Sequence, residues 1–160
     1  MSGIEAVEVG RSFAPTHANV TAESTIAALL DAAEPLQDAH VLVIGPRSLD
    51  IVCGLIRRGC AAALEIPLAG PSCPEPVELV IVPGVDSLEQ ATAAASLARR
   101  SLLPCGRIVM LDTTGRFAAA VARMLRNAGF SGIRSRPLAG GTLLRAEWPM
   151  FGLGRERHHG

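Results

Sequence analysis

The stretch HVLVIGPRSLDIVCGLIRRG, residues 40 to 59, passes from an unbroken apolar run through Gly45 into a helical pattern. That is the usual layout of a site for a nucleotide-like ligand. The glycine lets the backbone approach the ligand, and the free N–H groups at the helix start favour anionic groups. Gly45 is therefore the first candidate cofactor-binding residue. Arg47 is the second, because a guanidinium there can grip a phosphate or carboxylate; its ordinary alternative is a solvated loop charge. Chemistry elsewhere is sparse. Cys53, Cys60, Cys73 and Cys105 show no CxxC pairing and lie far from the histidines, so neither a zinc site nor a disulfide framework is expected. Cys53 and Cys60 read as small core residues with no neighbouring base to make either a nucleophile. His17 is the one histidine considered for catalysis, on an N-terminal arm that would overlie the site, whereas His158 and His159 sit on a polar tail. Asp86 and Ser87 read as a helix cap. No residue is assigned a catalytic role, and no metal is expected.

The elements that must position these residues follow from hydrophobic period. Thr21 is an expected N-cap for an amphipathic helix carrying Ile26, Leu29, Leu30 and Ala33 inward and closed by Pro35. HVLVIG is apolar on both alternating faces, as a buried parallel strand requires. Ser48 is expected to cap the next helix and Gly59 to end it. AAALEI is a second short strand, followed by PLAGPSCPEP, whose four prolines forbid a strand between Pro67 and Pro76. VELVIVPG is a third strand. A helix from Ser87 to Leu102 is stopped by Pro104, RIVMLD is a fourth strand, and GRFAAAVARMLRNAG is a helix ending at Gly129. IRSRPLAGGTLLRAEW reads as an antiparallel hairpin around a glycine-containing turn. Strands alternating with helices, then a hairpin, predict an α/β fold: a Rossmann-like, doubly wound, mostly parallel sheet of about six strands with helices on both faces.

At 160 residues the chain builds one core of ordinary size. A single domain over residues 21–149 is expected, between an irregular arm at 1–20 and a tail at 150–160. No apolar run approaches the roughly 20 residues that span a bilayer, and the N-terminus lacks a basic segment followed by an apolar one. A cytoplasmic protein with no membrane partner is expected. Fifteen basic side chains balance fifteen acidic ones, without the basic, aromatic-interleaved patch of a nucleic-acid binder, so no nucleic-acid partner is expected. All the basic residues are arginines, which excludes a Schiff-base lysine. In the tail, Trp148, Met150, Phe151 and Leu153 could dock on a second subunit or partner protein, or cover the chain's own sheet edge; a homodimer is the expectation.

In order and spacing, residues 24 to 149 resemble the class I S-adenosylmethionine-dependent methyltransferases. VLVIG stands where the family's first strand ends, and Gly59 where a glycine follows its first helix. VELVIV resembles the strand with an acidic second residue, SLLPCGRIVM the LxPGG turn and strand, and LRNAGF the helix end before the hairpin. The resemblance implies S-adenosylmethionine as cofactor. It also implies ribose binding by Glu65, at the end of the second strand, and a cofactor contact at Pro83, after the third. An acid where a strand leaves the sheet is otherwise simply solvent-exposed.

The chain departs from the family at that same site. The family's loop has an acid two residues before its first glycine and two further glycines at alternate positions; here Val43, Arg47 and Leu49 stand there. Asp50 falls in the first helical turn, where it answers the helix dipole that would otherwise favour an anionic ligand, an effect of roughly 0.3–1 kcal/mol. Between Glu65 and Val77 the family places a third strand and helices that hold the adenine, and this chain has a short proline-rich link. After VELVIV, Pro83 and Gly84 supply no acid or base. The expectation is a degenerate, non-catalytic binding, assembly or regulatory module that binds S-adenosylmethionine weakly. The alternative is an active small-molecule methyltransferase with an atypical loop. A dinucleotide-dependent oxidoreductase is disfavoured by the missing GxGxxG pattern and by the absence of tyrosine and lysine.

Overall fold

A computed structural model of the chain describes residues 17–46, 49–70 and 75–150, without the side chains of residues 17–21. The elements in order are α1 (His17–Ala33), β1 (His40–Ile44), α2 (Leu49–Arg57), β2 (Ala62–Ile66), β3 (Val77–Val85), α3 (Leu88–Ser101), β4 (Leu102–Asp112), α4 (Ala118–Asn127), β5 (Ser131–Leu138) and β6 (Gly141–Glu147). They form one six-stranded sheet in the order β2-β1-β3-β4-β6-β5. The first four strands in that order are mutually parallel, and β6 and β5 add antiparallel at the end. The expected α/β architecture is the one observed, and none of the described residues between Pro67 and Pro76 is in a strand.

Helices cover both faces because the central strands are apolar on both. On one side Val41, Val43, Leu79, Ile81, Val109 and Leu111 pack against Leu29, Leu30 and Ala33 of α1 and Ile51 and Leu55 of α2. On the other, Leu42, Ile44, Val80, Val82, Ile108 and Met110 meet the alanine face of α3 and Val121 and Leu125 of α4. Each fully buried side chain of this size contributes roughly 1.5–3 kcal/mol, so the two layers dominate the stability.

Helix α1 is tied down from a distance. It has no basic residue in its last turn, where the final carbonyls of a helix lack internal partners. Arg107 of β4 donates its Nη2 hydrogens to the carbonyls of Ala33 and Pro35, and Arg145 of β6 donates to Ala32 O at 3.1 Å. Two strands thus supply the positive charge and the donors that the helix C-terminus needs. Burial, then the neighbouring Arg145, holds the Arg107 guanidinium below its ordinary pKa, with Glu34, Glu78 and Glu147 pulling the other way. Its buried Nε has no partner among the described residues.

Two boundaries differ from expectation. Helix α1 begins at His17, not at Thr21, because nothing after Pro15 in the sequence forbids helical dihedrals and a hydroxyl able to cap can equally sit inside a helix. Strand β4 begins at Leu102 and runs through Pro104. Val77 pairs with Leu102 and Leu79 with Arg107, so Glu78 alone faces residues 103 to 106. The proline lies within this bulge, where no ladder donor is needed.

Inside that bulge Cys105 has φ 64°, a left-handed conformation that costs an L-residue about 1–2 kcal/mol. Part of that cost returns if glycine is introduced, since glycine loses more entropy on folding. Cys105→Gly is therefore expected to raise stability by about 0.5–1 kcal/mol, read as a higher urea midpoint at unchanged slope. A lower midpoint would show that the thiol side chain contributes packing that outweighs the strain.

Candidate functional site

Parallel strands end together, and here the C-terminal ends of β1, β3 and β4 open onto a cleft of about 990 Å³. Ile44, Val82 and Leu111 form its floor, Thr25, Ile26 and Leu29 of α1 one wall, and Leu49, Asp50 and Ile51 of α2 another. The volume falls at the upper end of the range that takes small molecules. Gly45 lies at its back with φ 116°, and a Cβ built on it would meet no atom within 4 Å. Its N–H donates to Ile66 O at 3.0 Å. The loop after β1 is thus pinned to β2 while its backbone faces open space.

The second loop is built by β3, which continues through Pro83 and Gly84 to Val85 across a register irregularity. Ser87 caps α3, its Oγ accepting from Gln90 N at 3.2 Å, and Gln90 Oε1 accepts from Asp86 N at 2.9 Å. The Asp86 backbone therefore belongs to the cap while the residue also lines the cleft. The third loop is held by Asp112, fully buried at the end of β4. Its carboxylate accepts from Thr114 N at 3.0 Å, Thr114 Oγ1 at 2.9 Å and Phe117 N at 2.8 Å. Thr113 next to it donates through N and Oγ1 to Val85 O, at 3.0 and 3.1 Å. Gly141, with φ 138°, runs close by, so that a Cβ there would collide with Asp112 O.

Among the described lining residues Asp50 and Asp86 are the only ionisable ones, with Thr25, Gln90 and Thr113 as polar neighbours. The cleft is otherwise apolar and presents no histidine, cysteine or arginine among those residues. Such a surface suits an uncharged or cationic ligand with an apolar body. No group of three or more histidine, cysteine, aspartate or glutamate residues that could hold a metal occurs among the described residues.

No protein-family model matches the sequence, and a search of curated proteins finds no match. Solved structures do match. The N-methyltransferase NodS from Bradyrhizobium japonicum WM9 superposes with TM-score 0.54 at 18% identity, over 82% of this chain and 98% of its own. A 1,6-didemethyltoxoflavin-N1-methyltransferase from Burkholderia thailandensis, with bound 1,6-didemethyltoxoflavin and S-adenosylhomocysteine, gives TM-score 0.60 at 14% identity, over 83% of each chain. A ribosomal protein L11 methylase from Lactobacillus delbrueckii subsp. bulgaricus gives 0.62 at 9% identity, over 79% of this chain and 76% of its own. The chain has the fold of the class I S-adenosylmethionine-dependent methyltransferases. At such identities the likeness is one of fold.

On this methyltransferase fold the four residues singled out in the sequence do not all meet. Gly45 and Pro83 line the cleft. Glu65 is exposed on β2, opposite Val43 and one residue before the strand ends, and is not among the lining residues. Arg47 and Ser48 lie outside the described residues, as do Cys73, Phe151, Leu153, His158 and His159. His17 is the first residue of α1 and its side chain is likewise outside them. Cys53 is exposed, contrary to the core position expected of it. The helical period that turns Ile51 and Leu55 inward puts the residue midway between them on the outer face. Cys60 is partly covered, and burial pushes its thiol above the ordinary range, which disfavours the thiolate a nucleophile needs.

Asp112 and the α1 wall were missed by sequence reading. Asp112 is visible as D-T-T-G before a helix, a turn signal, but its burial depends on β6 lying beside it. Asp112→Ala removes a buried acceptor from three donors of the turn and is expected to cost about 1–3 kcal/mol, measured by chemical unfolding. A loss below about 0.5 kcal/mol would show that the turn holds without it.

Proposed function

We propose that the chain is a methyltransferase-like pseudoenzyme, a non-catalytic binding, assembly or regulatory module whose cleft has at most weak affinity for S-adenosylmethionine. The observation that carries this reading is the edge of the sheet at β2. Beyond Ile66 the chain returns to β3 within residues 67–76, and Glu65 is exposed outside the cleft, so the described residues supply neither an adenine wall nor a ribose acid. The ionisable groups of the cleft among the described residues are the exposed Asp50 and Asp86, and no histidine joins them there.

The second reading, an active small-molecule methyltransferase with an atypical loop, is favoured by one observation. The cleft remains open at the strand ends, and Gly45 keeps a backbone conformation that lets a ligand approach. Titration calorimetry of dialysed protein with S-adenosylmethionine and S-adenosylhomocysteine separates the two. The expected dissociation constant exceeds about 100 µM, less than about 5.5 kcal/mol of binding free energy. Low-micromolar binding would reverse the order of the two readings.

Assembly through the C-terminal tail is part of the same proposal. Trp148 is already engaged by its own chain, with its ring 5.0 Å from that of Phe130 and Arg99 5.8 Å above it. Met150 is 62% exposed, an apolar side chain left for a partner to cover. A homodimer is expected by light scattering of the full chain, and deletion of residues 150–160 is expected to return it to a monomer. A full chain that is monomeric at high concentration would reject this part.

A further inference from the structure

A second concavity, of about 410 Å³, lies between the end of α1 and the β5–β6 hairpin and shares no lining residue with the first. Arg134, Arg136 and Arg145 converge on it, with Asp31 as the one carboxylate. That carboxylate is already taken by a fourth arginine, Arg58, whose Nη1 donates to Asp31 Oδ1 at 2.7 Å.

The placement is electrostatically unfavourable as it stands. Arg134 and Arg145 are directly opposed in the antiparallel ladder, where like charges destabilise a strand pair. Arg136 follows two residues along on the same face, opposite Leu143, whose side chain packs in the α1 layer. Arg107 adds its charge on that face, opposite Glu147. Neither Arg134 nor Arg136 has a side-chain partner among the described residues. Arg145, by contrast, is half-buried and already oriented by its bond to Ala32 O. One fixed and two free guanidiniums face one hollow whose own acid is spent.

The negative end of the α1 dipole points toward this region and would oppose an anion. Its terminal carbonyls are, however, already bonded by Arg107 and Arg145, so the opposing field is largely met within the protein. We propose that this hollow binds a multiply charged, phosphate-bearing small anion, with Arg145 as the preset contact and Arg134 and Arg136 closing on it. Planar guanidinium forks match the oxygens of phosphate in pairs, and binding would turn the Arg134–Arg145 repulsion into a shared attraction.

The test is calorimetric titration of the full chain with inorganic pyrophosphate at low ionic strength, where such contacts are least screened. Submillimolar binding is expected, weakened at least about tenfold in Arg134→Gln/Arg136→Gln and unchanged in Arg123→Gln, an exposed arginine on α4. Thermal unfolding provides a second readout that a misfolded variant could not mimic. Without ligand the double variant should melt at or above the parent temperature, since a repulsive pair is removed, and pyrophosphate should raise the melting temperature of the parent alone. Absence of binding at millimolar pyrophosphate, or equal weakening in Arg123→Gln, would overturn the proposal. So would a single-stranded oligonucleotide binding more than about a hundredfold tighter through the same arginines, which would move the surface to nucleic acid.

Discussion

A parallel strand buried on both faces has no side-chain position to spare for chemistry, and β3 is such a strand. It lies between β1 and β4, with Leu79, Val80, Ile81 and Val82 all covered. Polar function is therefore driven off the strands and onto their ends. This is why the cleft lies where β1, β3 and β4 stop together, and why the residues around it are the turn and cap formers Gly45, Pro83, Gly84, Asp86 and Thr113. The same constraint explains its thin chemistry: residues that make good turns and caps are spent on backbone groups before any ligand arrives.

The buried polar groups follow one economy. Asp112 spends its carboxylate on the turn that starts α4, and Arg107 spends its guanidinium on the carbonyls that end α1. In each case a charge from the sheet satisfies a helix terminus, where unpaired backbone groups concentrate. The arginines left over, Arg134 and Arg136, stand out because the carbonyls at the end of α1 beside them are already bonded by Arg107 and Arg145.

Much of the architecture was legible because its signals are local. Unbroken apolar runs at residues 41–45 and 79–82, and an apolar stripe from Val121 to Leu125, specify buried strands and a packed helix without any partner being known. Gly59 and Gly129, both with positive φ after helices, were equally plain. What escaped depends on distance. The bond from Arg145 to Ala32 joins residues 113 apart in sequence, and only the β4–β6 register sets the arginine over that carbonyl. Cys53 was misplaced because a cysteine inside an apolar helix looks like core until the helix is phased by Ile51 and Leu55. Gly45 and Pro83 could be placed at the site because Gly45 follows β1 directly and Pro83 falls where the apolar run of β3 meets its register irregularity, whereas Glu65 belongs to the edge strand, where one residue's register decides which way an acid faces.

The arginine bonds that hold α1 gather at its C-terminal end. Its C-terminal turn is bolted to β4 and β6 by Arg107 and Arg145 and to Arg58, the residue just after α2, while the half that walls the cleft lies upstream, at Ala22, Thr25 and Ile26. From Ala33 back to Ala22 is a lever of about 16 Å, so a tilt of about 5° at the clamp displaces the cleft wall by about 1.4 Å. The aperture of the site therefore depends in part on bonds made outside it, and loosening them moves the cleft wall without altering one lining side chain.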